Sequence, residues 1–184
     1  LLRQALLLLR LALPFLRLAP GLGLAFPPDL QLGLRVAADD LLVERNLLHH
    51  VLARPDVTAR LRADRHLIEA AVEESLRLEP AAARVDRFAT CDVEIAGAAI
   101  RRGDVVVISL AAAGRDPTVY ESPDEFRIDR PNGRGHLAFA QGPHACLGAH
   151  LARLESRTAL DAVLDLFPDV ELVGAPVTTG VVFR

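Results

Sequence analysis

The side chain best suited to chemistry is a cysteine in a ten-residue string that runs directly into a helical pattern. The string reads FAQGPHACLG, from Phe139 to Gly148, and its cysteine is Cys146. A thiolate just before a helix N-terminus lies at the positive end of the helix dipole, close to unpaired N–H groups. Both effects stabilise the anionic sulfur, the form of cysteine that ligates metals, including the iron of haem.

The residues around Cys146 suit a flat cofactor that carries carboxylates, such as haem. Gly142 and Gly148 allow the backbone to turn sharply and to approach a porphyrin face. Phe139 is placed to pack beside the sulfur and limit its contact with water. His144, two residues before the cysteine, is placed to hydrogen-bond a haem propionate.

Two other interpretations of the cysteine stay open at this point. An isolated cysteine is most often a small buried side chain. His144, Cys146 and His150 could also form part of a zinc site, since Cys146 and His150 are spaced to share one helix face. A structural zinc usually needs four ligands, and the nearby sequence offers no fourth. A metal-free or zinc-binding interaction protein is therefore the alternative from another class.

The string resembles the cysteine-ligand loop of the cytochrome P450 family, Phe-x-x-Gly-x-His/Arg-x-Cys-x-Gly. Every defining position is filled, and Ala140 stands where many members carry glycine, a difference expected only to stiffen the loop. The resemblance implies haem b as the cofactor, with Cys146 as axial ligand of the iron. It also implies that His144 and Arg87 hold the propionates, since guanidinium groups suit carboxylates.

A second motif of the same family lies upstream, at Glu74 and Arg77. Alone, an i, i+3 pair on a helix is an ordinary surface ion pair worth about a few tenths of a kcal/mol. The pair resembles the family's Glu-x-x-Arg, and Arg130 in PDEFRIDRP is the candidate third member. The resemblance implies a buried, structural charge network in which losing one partner costs several kcal/mol. By contrast, His49, His50 and Cys91 are interpreted as packing or surface residues.

One part of the family pattern is absent from the sequence. Family members carry Ala-Gly-x-Asp/Glu-Thr-Thr on a helix over the distal haem face, where the acid and the hydroxyl relay protons to dioxygen. The corresponding region, ADDLLVERNLLHHVLARPD, has carboxylates at Asp39, Asp40 and Glu44 but no Thr or Ser. No catalytic residue is therefore assigned. A haem-thiolate monooxygenase in truncated form is expected, and a non-catalytic haem-binding remnant is an alternative.

The predicted elements are mainly helices with small β sheets, the proximal haem side of the cytochrome P450 fold by resemblance. Pro55 and Pro80 are expected to end helices. Residues 1–35 are an unmatched Leu-rich segment, and residues 36–184 are a partial cytochrome P450 domain. Helices are predicted over 36–53, 57–63, 66–78 and 147–166, and hairpins over 91–109 and 174–184.

Composition narrows the class and the location. A net charge of −3 leaves no basic excess for nucleic acid. Arg10, Pro14 and Arg17 interrupt the apolar N-terminal stretch and argue against a membrane-spanning helix. Two widely separated cysteines favour a reducing compartment, hence the cytoplasm. By resemblance, the partners are a ferredoxin or similar electron donor and a small organic substrate.

Overall fold

The structure is a computed structural model that describes residues 16–17 and 42–172. Predictions for the rest of the Leu-rich segment, for Asp39 and Asp40, and for the hairpin over 174–184 lie outside these residues. Within them the chain is mainly helical with small antiparallel sheets, and this expected fold class is confirmed.

Along the described residues, three helices come early and the longest helix comes late, with most of the short strands between them. The helices are α1 (Leu42–Leu52), α2 (Pro55–Ala63), α3 (Ile68–Leu78), α4 (Leu110–Ala113) and α5 (Ala149–Leu166). The strands are β1 (Leu16–Arg17), β2 (Arg84–Phe88), β3 (Val93–Ile95), β4 (Ala98–Ile100), β5 (Val105–Ser109) and β6 (Glu171–Leu172). Short 3₁₀ turns cover Arg65–Leu67 and Gly133–Gly135.

Proline sets the boundary between α1 and α2. Helix α1 ends before Arg54-Pro55, as expected from the restriction that proline places on the preceding residue. The helix predicted over 57–63, with Asp56 as its cap, begins two residues earlier, and the cap prediction was wrong. Pro55 occupies the first turn, where its missing N–H costs no hydrogen bond. Asp56 therefore lies inside the first turn of α2 instead of preceding it.

Helix α3 is the central helix of the described fold. The predicted helix over 66–78 divides into the 3₁₀ turn, in which the Asp64 carboxylate accepts the His66 N–H at 3.0 Å, and α3 itself. It ends at Leu78, before Pro80. Nearly every residue of α3 is buried, three charged ones included: Glu73, Glu74 and Arg77. A helix buried on all sides must satisfy such charges within the protein.

Helices α1, α3 and α5 pack together around the main core. Their apolar faces contribute most of its fully buried side chains, such as Leu47, Val51, Val72, Leu76, Leu160, Val163 and Leu164. Phe126 and Ile128, from the long segment before the cysteine loop, close one side of this core. Burial of this apolar surface is the main favourable term that holds the three helices together.

The sheets are two-stranded and antiparallel. Strand β2 pairs with β5, from Arg84 opposite Ser109 to Phe88 opposite Val105, and β1 pairs with β6. Strands β3 and β4 form a hairpin whose turn has positive φ at Ala96 (50°) and Gly97 (81°), which matches the right-handed twist of the strands. The hairpins predicted over 91–109 are therefore confirmed only around Gly97. No hairpin forms around Gly103, because β5 pairs with β2 and not with β4. None of the helices of the described residues combines the length and apolar character needed to span a membrane.

Candidate functional site

Glu74 lies at the centre of a buried charge network. Its carboxylate, 1% exposed, receives Arg77 Nε on Oε2 and Arg77 Nη2 on Oε1, both at 2.8 Å. Arg130 Nε donates to the same two oxygens at 3.1 and 3.2 Å, and the backbone N–H of Arg127 adds a bond of 2.9 Å. The structure therefore brings Glu74, Arg77 and Arg130 together in the interior, and the ordinary surface ion pair is excluded.

The two arginines of this network also bind the backbone of the segment that follows α4. Arg77 Nη1 donates to the carbonyls of Gly114 at 2.6 Å and Pro123 at 2.7 Å. Arg130 Nη2 donates to the carbonyl of Glu125 at 3.2 Å, and both guanidinium groups lie against the ring of Tyr120. A long stretch without regular structure, residues 114–132, is thus fixed to α3 through side-chain donors, which satisfies carbonyls that no helix or strand pairs.

The cysteine loop is closed by its own backbone. The N–H of Cys146 donates to the carbonyl of Phe139 at 2.8 Å, and the N–H of Ala145 donates to Gly142 at 3.0 Å. Ala140 (φ 55°) and Gly142 (φ 85°) both adopt the left-handed conformation. Gly142 therefore allows the sharp turn expected of it, whereas Ala140 adopts a conformation that costs an alanine about 1–2 kcal/mol.

Cys146 is a free, exposed thiol that lies before α5. The helix begins at Ala149 with Gly148 as its N-cap, two residues later than the predicted start at Leu147. Cys146 is therefore outside the helix, and the helix face that it was expected to share with His150 does not exist. Across residues 42–172, no group of three or more His, Cys, Asp or Glu side chains is arranged to hold a metal ion. The zinc interpretation gains no support.

The two candidate propionate partners are exposed. Arg87 lies on β2 and its Nη1 donates to the carbonyl of Asp86 at 2.9 Å, and His144 lies within the exposed stretch 141–148. Their roles toward a cofactor stay predictions. Phe139 is half-buried, with its ring packed on the guanidinium of Arg153 at 4.7 Å and near the ring of His136.

The open face of the cysteine loop fits haem. Its residues 141–148 are all exposed, and they combine the Cys146 thiol with Leu147, whose exposure is 100%. A Cβ placed on Gly142 would meet no heavy atom within 4 Å, and one placed on Gly148 would meet only Cys146 Sγ, at 3.9 Å, so both glycines border open space. A soft sulfur donor beside exposed apolar surface matches an iron held in a flat apolar ring.

Sequence reasoning missed a second buried carboxylate cluster, at Glu73, His136 and Arg153. Glu73 Oε1 receives Arg153 Nε at 2.6 Å, and Oε2 receives Arg153 Nη2 and His136 Nε2, each at 3.0 Å. Burial opposes ionisation of Glu73, but these hydrogen bonds outweigh it and lower the pKa of its carboxyl to about 2. His136 and Arg153 lie 63 and 80 positions after Glu73 along the chain, so no periodicity or local motif connects the three residues.

Glu44 and His50 lie in the region that corresponds to the family's proton-relay motif, and both side chains pack in the interior. Glu44 is buried and accepts the hydroxyl of Ser156 at 3.3 Å, and burial raises the pKa of its carboxyl. His50 is buried with its ring stacked on Phe126 at 5.1 Å, which agrees with its interpretation as a packing residue. Glu44 thus links α1 to α5, an arrangement that does not present its carboxylate to an open site.

Comparison with known proteins defines the family. Residues 43–172 match the family model described as Cytochrome P450. The chain is 48% identical over 130 residues to "Putative cytochrome P450 140" of Mycobacterium tuberculosis, covering 71% of this chain and 30% of that protein. It is 44% identical over 132 residues to "Cytochrome P450 monooxygenase PikC" of Streptomyces venezuelae, covering 71% of this chain and 32% of PikC. The chain belongs to the cytochrome P450 family.

Solved structures agree with this assignment. The cytochrome P450 enzyme CYP109B1 from Bacillus subtilis superposes with a TM-score of 0.73 at 36% identity, over 85% of this chain and 43% of that one. The haem domain of CYP116B5 from Acinetobacter radioresistens gives 0.75 at 30% identity, over 85% and 39%. The chain thus spans about a third of the length of the curated relatives it matches. The family model begins at residue 43, and the division of the chain between residues 35 and 36 stays a prediction. Haem is the cofactor of this family, and its members use redox partners and small organic substrates.

Proposed function

We propose that this chain carries the haem-binding portion of a haem-thiolate monooxygenase, an oxidoreductase that inserts one oxygen atom of dioxygen into an organic substrate. Cys146 would ligate the haem iron, and His144 and Arg87 would bind the propionates. When bound, haem supplies the oxygen-activating iron, and a thiolate ligand favours cleavage of the O–O bond. By similarity to the family, the electron donor would be a ferredoxin or a similar small redox protein.

A single observation supports this proposal most strongly. The Cys146 thiol is exposed on a loop closed by a hydrogen bond from its own N–H to Phe139, just before the N-terminus of α5. The thiol is therefore accessible to a ligand, and the 18-residue helix that follows holds the end of its loop in the fold. The remaining features of the loop, an exposed Leu147 and an open space over Gly142, suit an apolar ring.

The proposal assigns the described chain to binding and positioning. Glu74, Arg77 and Arg130 would hold the scaffold beneath the cofactor, without contacting it. No proton relay is assigned to this chain, because Glu44 is buried against Ser156 and the acid–hydroxyl motif is absent from the sequence. We also propose a cytoplasmic location, which the two unpaired cysteines support.

The test is an absorption spectrum of the purified chain with added haem, reduced and exposed to CO. We expect a strongly red-shifted Soret band, the sign of a thiolate ligand, in the wild type and in Cys91→Ala. Cys91 is the matched control, since it is also an exposed free cysteine. The band should be lost in Cys146→Ala. Absence of haem uptake by the wild type, or a band that survives in Cys146→Ala, would overturn the proposal.

A further inference from the structure

Glu73 joins two chain segments that lie on either side of the cysteine loop. His136 comes three residues before Phe139, where the loop starts, and Arg153 lies in the second turn of α5, after the loop ends. Both side chains bind the same buried carboxylate, which projects from the central helix α3. One side chain of a third element is therefore hydrogen-bonded to residues at both ends of the loop.

The hydrogen bonds of His136 define its role at the start of the loop. Its Nδ1 accepts the backbone N–H of Ala138 at 3.2 Å, so the proton of a neutral ring lies on Nε2 and is donated to Glu73. The ring is 2% exposed and therefore shielded from water. A hydrogen-bonded chain thus runs from Glu73 through His136 to the residue that directly precedes Phe139.

Arg153 holds the other end and also contacts the loop directly. Two of its nitrogens, Nε and Nη2, donate to the two carboxylate oxygens of Glu73 as a fork, the strongest geometry for this pair. The face of the same guanidinium packs on the ring of Phe139 at 4.7 Å. Since the carbonyl of Phe139 accepts the N–H of Cys146, the position of this ring is connected to the position of the thiol by one hydrogen bond.

We propose that Glu73, His136 and Arg153 form a clamp that fixes the shape of the cysteine loop before haem binds. The three are positioning residues: they act on Cys146 through Phe139 and the two ends of the loop. A preorganised loop binds its ligand with a smaller entropic cost than one that must be ordered at the moment of binding. This inference rests on the proposed function only in naming haem as the group that the loop receives.

The adjacent carboxylates of α3 therefore have separate roles. Glu74 binds Arg77 and Arg130 and fixes the segment 114–132, whereas Glu73 fixes the loop that contains the cysteine. Successive helical residues project about 100° apart, which is why neighbouring side chains reach different segments. The clamp can thus be weakened without removing a partner from the Glu74 network.

The experiment compares amide hydrogen exchange in the 184-residue chain without haem for the wild type, Glu73→Gln and Arg153→Lys. We expect exchange in residues 137–148 to rise by about tenfold or more in both variants, while α1 and α2 keep their protection. Arg153→Lys keeps the charge but removes the fork, and its partly exposed site tolerates the change if Glu73→Gln fails to fold. The control is Glu69→Gln, one turn earlier on α3. Its half-exposed carboxylate pairs with Arg134 and, at 3.9 Å, with Arg157 of α5, but it makes no hydrogen bond to His136, Arg153 or the loop, so it tests whether loss of a neighbouring charge alone has the same effect.

Unchanged exchange in the loop, or an equal rise in α1 and α2, would overturn the clamp. A second readout follows haem uptake and the red-shifted CO band in the same variants. A weaker haem affinity and a smaller fraction of thiolate-ligated haem are expected in the clamp variants, but not in Glu69→Gln. If the clamp variants match the wild type in haem affinity and in the fraction of thiolate-ligated haem, the clamp does not position the thiolate. If the wild type itself takes up no haem, the proposed function fails, and the exchange data still decide whether the clamp exists.

Discussion

At the scale of single residues, the backbone of the cysteine loop stores strain at Ala140. Its φ of 55° lies in the left-handed region, which glycine adopts without a steric penalty. From the sequence, alanine at this family glycine position is expected only to stiffen the loop. The structure adds an energetic cost, because the conformation that closes the loop is one that alanine disfavours.

Ala140→Gly should therefore stabilise the protein. We expect the free energy of unfolding to rise by about 0.5–1 kcal/mol, since relief of about 1–2 kcal/mol of strain exceeds the extra entropy of glycine in the unfolded chain. Urea denaturation measures the change. Ala145→Gly is the control, because Ala145 lies in the same loop with a negative φ, and it should destabilise. A loss of stability in Ala140→Gly would contradict the strain.

His50 makes stability depend on pH. Burial is the main cause that lowers its pKa from 6.5 to about 3 in the folded chain, with the nearby Arg54 adding to the effect. Neither ring nitrogen has a hydrogen-bond partner among the described residues, and the Glu79 carboxylate is 3.8 Å from Nε2. Between these two pKa values the unfolded chain binds a proton that the folded chain does not. Stability is therefore full above pH 6.5 and falls as the pH drops toward 3.

We expect the free energy of unfolding to decrease between pH 7 and pH 5, by at most about 1.4 kcal/mol per pH unit for this one proton. His50→Phe should flatten the slope in this window, because phenylalanine fills the same space on Phe126 without a titrating group. His49→Phe, at the half-buried neighbour, is the control. Glu73 does not interfere here, since its lowered pKa reduces stability only below about pH 4.5. Glu44, whose pKa is raised by burial, contributes in the opposite direction above pH 4.5, but it is present in the wild type and in both variants, so the difference in slope reports on His50. An unchanged slope in His50→Phe would exclude His50 as its source.

At the scale of elements, the contact between the end of α4 and α3 is too close for a side chain. A Cβ on Gly114 would lie 2.1 Å from the carbonyl oxygen of Arg77. The Gly114 carbonyl in turn accepts Arg77 Nη1. This close approach holds the Glu74 network against the segment that leaves α4, so α3 and α4 cannot separate without breaking buried hydrogen bonds.

Gly114→Ala should destabilise by about 1–3 kcal/mol or more, because the backbone of α3 or α4 has to move to admit the methyl group. Chemical denaturation gives the value. Gly133→Ala is the matched control, since a Cβ at Gly133 meets no heavy atom within 4 Å. If the two substitutions change the free energy of unfolding equally, the close contact at Gly114 does not contribute to stability.

Removing the charge of Glu74 should have a larger effect. Glu74→Gln leaves two buried guanidinium groups without their anion, which typically costs about 3–5 kcal/mol. Asp92→Asn, which breaks the exposed pair with Arg101, should change stability far less, because water screens an exposed ion pair. Thermal unfolding of both variants against the wild type measures the contrast. Similar midpoints would mean that the Glu74 network is not structural.

The elements were predictable where the signal is local, and the sites were predictable where a motif exists. Pro55, Pro80 and Gly97 act on their own neighbours, so the ends of α1 and α3 and the β3–β4 hairpin follow from the sequence. The prediction of Asp56 as a helix cap was wrong because the helix begins one residue earlier, at Pro55. Glu74 and Arg130 were connected only through a family motif. Glu73, His136 and Arg153 were missed because each is an ordinary residue in its own segment, and only packing brings them together.

At the scale of the whole molecule, the described chain exposes several large apolar side chains. Leu147, Leu151 and Leu154 follow an i, i+4, i+7 spacing and are at least half exposed, with Leu147 fully so. Phe88 on β2 is 72% exposed, and Val105 opposite it is also exposed. Exposed apolar side chains that lie one helical turn apart, such as Leu151 and Leu154, promote association in water.

The isolated chain should therefore self-associate as its concentration increases. We expect Leu151→Gln combined with Leu154→Gln to reduce association and the binding of an apolar fluorescent dye, since both side chains are already solvated and add little to the fold. Sedimentation velocity over a range of concentrations is the measurement. Glu155→Gln, an exposed polar change on the same helix, serves as control. If the double variant associates as strongly as the wild type, Leu151 and Leu154 do not form the surface through which the chain associates.

The adjacency of Glu73 and Glu74 also has a consequence for how this sequence can change length. A one-residue insertion within α3 ahead of them rotates the remainder of the helix by about 100°. Glu73 would then take the place of Glu74, and Glu74 would move on to the place of Ser75, so neither carboxylate would face its own partners. No single compensating substitution restores both clusters, because their partners lie on three separate segments. We therefore expect natural insertions and deletions to be absent from α3. Length variation should be confined to exposed turns such as residues 101–104.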